Sequence, residues 1–454
     1  MTAGRGGHRT APGRRRVAPF AGALGLVVML ASATGEVARA ATPRPVAIRG
    51  ARIVTVSGPV IEGGTIVLAG GKIAAVGAEV PVPPDAEVVD GAGKVVYPGL
   101  IDALTTIGLT EIGSVPGSVD TTETGDINPQ ARAWIAVQPH SELIPVARAN
   151  GITAVLTAPR GGLVSGQSAL LRLFGSTPDA LTVKQPVAMH VVYPTGRAPF
   201  DISRLFEEPE LKTLEDRVKE RRQNQEKELR RLGDLIEDAR ALGERLRMAG
   251  RGERPRPDVD LPEEALAAVA RGELPVVMRA DAEDDIRGAV RFAGDHRLKL
   301  IVAGGLEAWR CADLLRDKGV PVLVNVDRLP RRESDRYDAA YANPAALARA
   351  GVPFAIVSDD ASQVRNLPYE AAMARAFGLS AEAALRAITL SPAEILGVAD
   401  RLGSLEVGKD ASVIVTTGDV MDHRTGVTHV FIDGVPQSLE TRHTRLYREF
   451  KDRP

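Results

Sequence analysis

Four carboxylates stand at or just beyond the ends of short apolar runs: Asp281 in "VVMRADAEDDI", Glu307 in "VAGGLEAW", Asp327, and Asp359 in "FAIVSDDAS". Acids gathered at one mouth repel one another unless a cation sits among them. Arg279, just before Asp281, is the candidate cation, and pairing with Asp359 or with Asp281 would serve. His190, inside the run "PVAMHVVYP", is the histidine best placed to face the same mouth, and a satisfied core histidine explains it as well. The glycine-rich stretch "APRGGLVSGQSALL" (Ala158–Leu171) carries Ser165 and Gln167. Backbone N–H groups and polar side chains on such a loop suit a substrate carbonyl or carboxylate, and a plain turn accounts for it equally. Ser165 is not in a G-x-S-x-G elbow, so a serine nucleophile is not expected. Glu111, Asp120, Glu123 and Asn128, on the stretch "GLTEIGSVPGSVDTTETGDINPQ", are an alternative source of polar contacts. His140 and His296 read as surface or capping groups, and Cys311 as a small buried hydrophobe within a helical pattern.

The elements that must position these groups are eight apolar, β-rich runs: 96–102, 152–157, 169–173, 187–192, 275–280, 298–303, 320–325 and 352–358. Several are followed by helical patterns such as "DDIRGAVRFAGDH", an alternation that points to an α/β fold with a (β/α)8 TIM-like barrel. An open doubly wound sheet has the same periodicity, but no G-x-G-x-x-G follows a strand to favour it. Before residue 97 and again after residue 402, β-branched runs broken by glycine predict one small β-sandwich domain built from both chain ends. The organisation read from the chain is therefore 1–40 signal peptide, 41–97 with 402–440 composite β domain, 98–401 barrel and 441–454 C-terminal tail. Within the barrel, 203–250 is a charged, helix-forming insertion with i,i+4 pairs such as Glu226/Arg230. Its polar middle and its glycines, Gly233 and Gly243, predict a hairpin or short coiled coil rather than one rod. A solvated excursion, a dimer contact of a homo-oligomer and a site cover are all compatible with it.

At 454 residues and 44% hydrophobic content the chain is long enough for a barrel plus a smaller domain. A formal net charge of -1, with no basic-aromatic module, excludes nucleic acid as an expected partner. Arginines 5, 9 and 14–16 precede the apolar run "VAPFAGALGLVVMLASATG", which ends at Ala38-Arg39-Ala40 in small-x-small form. That is the pattern of a secretory signal cut after Ala40, implying export to a periplasmic or extracellular space. No later segment is apolar enough for a membrane span, and a lone cysteine is compatible with an oxidising compartment.

The phrases "VVYPGLID" (Val95–Asp102), "ARANGITAVL" (Ala147–Leu156), "AITLSPAEILGV" (Ala387–Val398) and "RLGSLEVGKDASVIV" (Arg401–Val415) occur in an order and spacing that resemble the amidohydrolase superfamily, in the style of its imidazolonepropionase-like, exported members. The resemblance covers nearly the whole mature length. It implies a barrel and a β domain, metal-assisted hydrolysis, usually with zinc, and an aspartate after the eighth strand that shuttles the proton. Asp359 stands at that position, and His190 is the other catalytic candidate.

The departures concern the metal. Leu104, Thr106 and Arg279 stand where ligands are expected, and Gly304 and Gly305 follow the sixth strand without a histidine. Imidazole and carboxylate from several strands are needed at once for such a site, so an atypical metal site or none is expected. Two functions remain open. One is hydrolysis of amide or cyclic amide C–N bonds in a small molecule, with Asp359 as acid and base and with Ser165, Gln167, Arg279, Asp281 and Glu307 binding substrate. The other is a non-catalytic barrel that binds a small ligand or a protein partner.

Overall fold

The computed structural model describes residues 44–196, 213–330, 332 and 334–453. The expected signal segment 1–40 and the first part of the insertion, 203–212, lie outside the described residues. In chain order the strands are β1 (Val46–Ile53), β2 (Ile61–Ala69), β3 (Lys72–Gly77), β4 (Glu87–Asp90), β5 (Val95–Pro98), β6 (Leu100–Thr105), β7 (Ile152–Thr157), β8 (Val164–Gln167) and β9 (Ala169–Arg172). They continue with β10 (Thr182–Lys184), β11 (Met189–Val192), β12 (Val276–Ala280), β13 (Leu300–Gly304), β14 (Val322–Val324), β15 (Phe354–Ile356), β16 (Val413–Thr416), β17 (Val427–Ile432) and β18 (Val435–Pro436).

One eight-stranded sheet joins strands from both chain ends in the order β18-β17-β16-β5-β1-β2-β3, with β4 also on β1. Its buried residues, including Ile48, Ile66, Leu68, Val413 and Phe431, form a core of their own. Hydrogen bonding makes this a single continuous sheet built from both chain ends. The chain leaves it at Gly99, between β5 and β6. A Cβ there would lie 2.1 Å from Thr153 Oγ1, so only glycine lets β6 start this close to β7.

The remaining strands form a four-stranded sheet, β10-β9-β7-β6, and a six-stranded one, β15-β14-β13-β12-β11-β8. From β11 to β15 all neighbours are parallel, and helices 283–295, 312–318 and 339–350 fall between them, as the alternation predicted. The third predicted strand differs. The segment Val164–Arg172 runs antiparallel to both β7 and β11, because a parallel return needs a crossover of a dozen or more residues and only 158–163 intervene. At its midpoint Ser168 N–H donates to Ala188 O and its carbonyl accepts from Val187 N–H, linking the two sheets. At the opposite edges, Asp359 N–H donates to Leu104 O at 3.0 Å, and Asp102 accepts from Ser358, so the end of β15 is tied to β6.

The described part of the insertion, 213–250, holds one helix, Leu214–Gly250, about 55 Å long at 1.5 Å per residue. This corrects the expected hairpin. Gly233 does not interrupt it, because a Cβ there would lie 3.1 Å from the His296 ring: the glycine is a packing position rather than a break. Leu232, Ile236, Ala239 and Leu242 are buried, and Arg240 donates to the carbonyls of Ala270 and His296. Upstream, 215–220 is exposed. The helix is thus anchored by its C-terminal half. Ile236→Ala should lower stability by about 2–5 kcal/mol, and Val218→Ala, on the exposed half, by less than about 0.5 kcal/mol. Chemical denaturation of both variants checks this, and equal effects would contradict the one-sided anchoring.

Candidate functional site

At the carboxyl end of β12, Arg279 reaches Asp359 in a two-point ion pair, Nη1 to Oδ2 at 2.8 Å and Nη2 to Oδ1 at 2.6 Å. Arg160, from the loop after β7, donates through Nη2 to Oδ1 at 2.9 Å and also to the Asp359 carbonyl. Arg328 reaches Oδ2 at 3.4 Å. Asp359 is 4% exposed and has a φ of +55°, a left-handed conformation that aspartate adopts more readily than most residues. Burial opposes its charge, yet the hydrogen bonds and charge of Arg279, with the charges of Arg160 and Arg328, hold the carboxyl below the usual range.

Beside the clamp lies a pocket of about 220 Å³ bordered by Arg160, Arg279, His190 and Ser165, with Leu104, Ala158, Val277 and Ala303 among its apolar walls. His190 is 6% exposed, and its Nε2 has no hydrogen-bond partner. Burial first, then the charges of Arg279 and Arg160, push its pKa down to about 3, so the ring is neutral at pH 7. Ser165 Oγ donates to Gly161 O at 2.7 Å, a bond that holds the loop carrying Arg160.

The other sequence candidates do not border this pocket. Gln167 donates to Pro129 O and lines a separate cleft with Asp120 and Glu123. Glu307 accepts from Arg332 Nε at 2.8 Å and from Glu283 N–H at 2.8 Å, a structural lock at a helix start. Asp281 acts on Arg279 through its charge but does not border the pocket. Asp360 is exposed and accepts from Ser362 and Gln363. Glu111 accepts from Ser141 and Glu142, and Asn128 donates to Gly125 O. His140 is exposed, whereas His296 ends a helix and bonds Glu237.

Sequence reasoning missed Arg160, although it sits inside the quoted glycine-rich stretch, and Arg328, which directly follows Asp327. It also missed a pair of buried acids. Asp102 is fully buried and accepts from Leu104 N–H and from Ser358; burial raises it to about 7. Glu370, on the helix Leu367–Ala376, is raised to about 9 by burial first and then by the charge of Asp102.

This donor set does not fit a divalent cation. Both oxygens of the strand-end aspartate are occupied by guanidinium groups, and a leucine and a guanidinium border the pocket where ligands would stand. Among the described residues no three His, Cys, Asp or Glu side chains gather to hold a metal ion.

Breaking the clamp leaves a buried carboxylate with weaker partners. Arg279→Met should cost about 1–3 kcal/mol, less than the ~3–5 of a fully isolated buried charge, because Arg160 and Arg328 remain. Adding Asp359→Asn to it should recover part of that loss in a double-mutant cycle. No coupling between the two sites would refute the clamp. The buried acids carry the opposite sign. A carboxyl raised above its unfolded value of about 4 contributes stability at low pH that is lost as pH rises through the folded pKa. Stability should therefore fall from about pH 5 towards pH 9, and Glu370→Gln should flatten that fall, as read from urea midpoints across the range. An unchanged slope would remove Glu370 as its source.

Comparison with known proteins gives consistent relatives. The amidohydrolase family model matches residues 184–436. The chain is 23% identical over 383 residues to the amidohydrolase tasK of Hapsidospora irregularis, covering 78% of this chain but only 38% of that longer protein. Among solved structures, the amidohydrolase from Thermotoga maritima MSB8 aligns with a TM-score of 0.75 and 27% identity, over 87% of this chain and 99% of that one. Molinate hydrolase aligns at a TM-score of 0.55 and 17% identity, over 88% and 95% of the two chains. A prolidase complexed with N-methylphosphonate-L-proline aligns at 0.51 and 16%, over 87% and 99%. At those identities the last two likenesses are of fold. The family model spans more than half of the sequence, and the chain belongs to the amidohydrolase family.

Proposed function

We propose that the protein is an exported hydrolase of carbon–nitrogen bonds in small amides or cyclic amides, working from a (β/α)8 ring without a resident metal. Family membership and the likeness to the Thermotoga maritima amidohydrolase support the reaction class. The ring is supported by the two links between sheet edges, one at Ser168 and one between Asp102 and Ser358. The observation that carries the site is the meeting of Arg160, Arg279 and His190 around one pocket, with Asp359 held against the same guanidinium groups.

In this reading the scissile carbonyl oxygen faces the guanidinium groups, which hold the negative charge that develops as water adds to the carbon. For this step Asp359 has to give up one clamp contact and turn an oxygen to the water, whose proton it takes and then returns to the nitrogen as the C–N bond breaks. Its lowered pKa makes it a weak base, so turnover is slow. The same clamp favours a second reading, a ligand-binding protein without turnover, because both oxygens of Asp359 are already engaged.

Mature protein treated with chelator and offered small amides, lactams and dipeptides separates these. The hydrolase reading expects slow, chelator-insensitive turnover that Asp359→Asn lowers by roughly 10²-fold or more. Turnover that appears only with added zinc would overturn the metal-free mechanism. Absence of turnover across the panel would leave the binding reading.

A further inference from the structure

The pocket beside the clamp carries an inference that does not depend on turnover. Its walls bring two guanidinium groups and no carboxylate to a small space otherwise lined largely by apolar side chains. Asp359 is not among the lining residues. Its bonds use one N–H from each Nη of Arg279 and the Nη2 of Arg160; among the described residues no side-chain hydrogen bond engages Nε or Nη1 of Arg160, which also borders the pocket. A guanidinium has five N–H donors and no acceptor. His190 adds no charge of its own, and its unpartnered Nε2 leaves a polar group at the same wall.

We propose that this pocket binds a small carboxylate with a short apolar tail, its oxygens on Arg160 and Arg279 and its tail against Leu104, Val277 and Ala303. The volume of about 220 Å³ suits a fragment rather than a drug-sized ligand, which needs about 300 Å³ or more. The charge balance matches a monoanion: Arg160, Arg279 and Arg328 face the one buried carboxylate of Asp359, Asp281 acts on Arg279, and the exposed Asp360 acts on Arg160 only through screening solvent, so about one positive charge remains.

Butyrate and butyramide share a shape and differ in charge, and neither needs turnover to be measured. Titration calorimetry on the mature protein should give butyrate an affinity about tenfold or more above butyramide, the margin of a charged hydrogen bond. Arg160→Gln should remove that preference and Arg160→Lys should keep part of it. Arg160 is partly exposed, so both variants are expected to fold, and a thermal midpoint near that of the parent protein verifies it. Equal binding of the acid and the amide, unchanged preference in Arg160→Gln, or binding of inorganic phosphate in preference to butyrate would each overturn the proposal. Binding without hydrolysis of any amide would leave this inference standing and remove only the hydrolase reading.

Discussion

A single buried carboxylate constrains the strand ends. Asp359 is almost wholly removed from water, and an ionised carboxyl there is strongly unfavourable unless cations and hydrogen bonds replace the lost solvent. Three arginines do so, each from a different part of the chain: the loop after β7, the end of β12 and the segment after β14. None of these segments can shift far without exposing or unpairing the charge. The residue's own backbone continues the constraint, since its N–H reaches Leu104 O and its neighbour Ser358 reaches Asp102. Side-chain electrostatics and the seam between β15 and β6 are therefore one structure.

The same device recurs at lower stakes around the rim. Arg332 holds Glu307 and Glu283, Arg310 holds Asp335, and Arg336 holds Asp338. In these pairs the arginine's planar fork suits the carboxylate and cannot be deprotonated. Among the described residues Asp102 and Glu370 have no ion pair of this kind, and burial raises both carboxyls above the usual range.

The layout was legible where periodicity governs it. The runs predicted around 152–157, 275–280 and 352–358 coincide with or contain β7, β12 and β15, and the two β segments near the chain ends do meet in one sheet. The direction of the third strand was hidden, since an apolar run looks the same whichever way it points; the short loop before it was the available signal. Gly233 misled for a related reason. Propensity charges a helical glycine about 1 kcal/mol, but the sequence does not show that a histidine from elsewhere needs the space. At the site, Arg279 and Asp359 stood out because they end strands. Arg160 and Arg328 lie in loops, and only the tertiary fold brings them to the same carboxylate. Asp102 was visible only as the last letter of a family phrase.

An arginine clamp and a metal centre can do different chemistry. A divalent ion supplies a Lewis acid and lowers the pKa of bound water to about 7, so it makes a nucleophile as well as holding charge. A guanidinium supplies only the second. It donates hydrogen bonds to an oxyanion or a carboxylate but neither coordinates water nor accepts a proton. The base beside it is weakened by the same contact, because whatever stabilises the Asp359 carboxylate lowers its appetite for a proton. His190 does not repair this, for burial and the nearby cations make its ring a poor base as well. Charge recognition and water activation, joined in a metal centre, thus pull apart here: each arginine that improves the hold on an anion further disarms the groups that would have to move a proton.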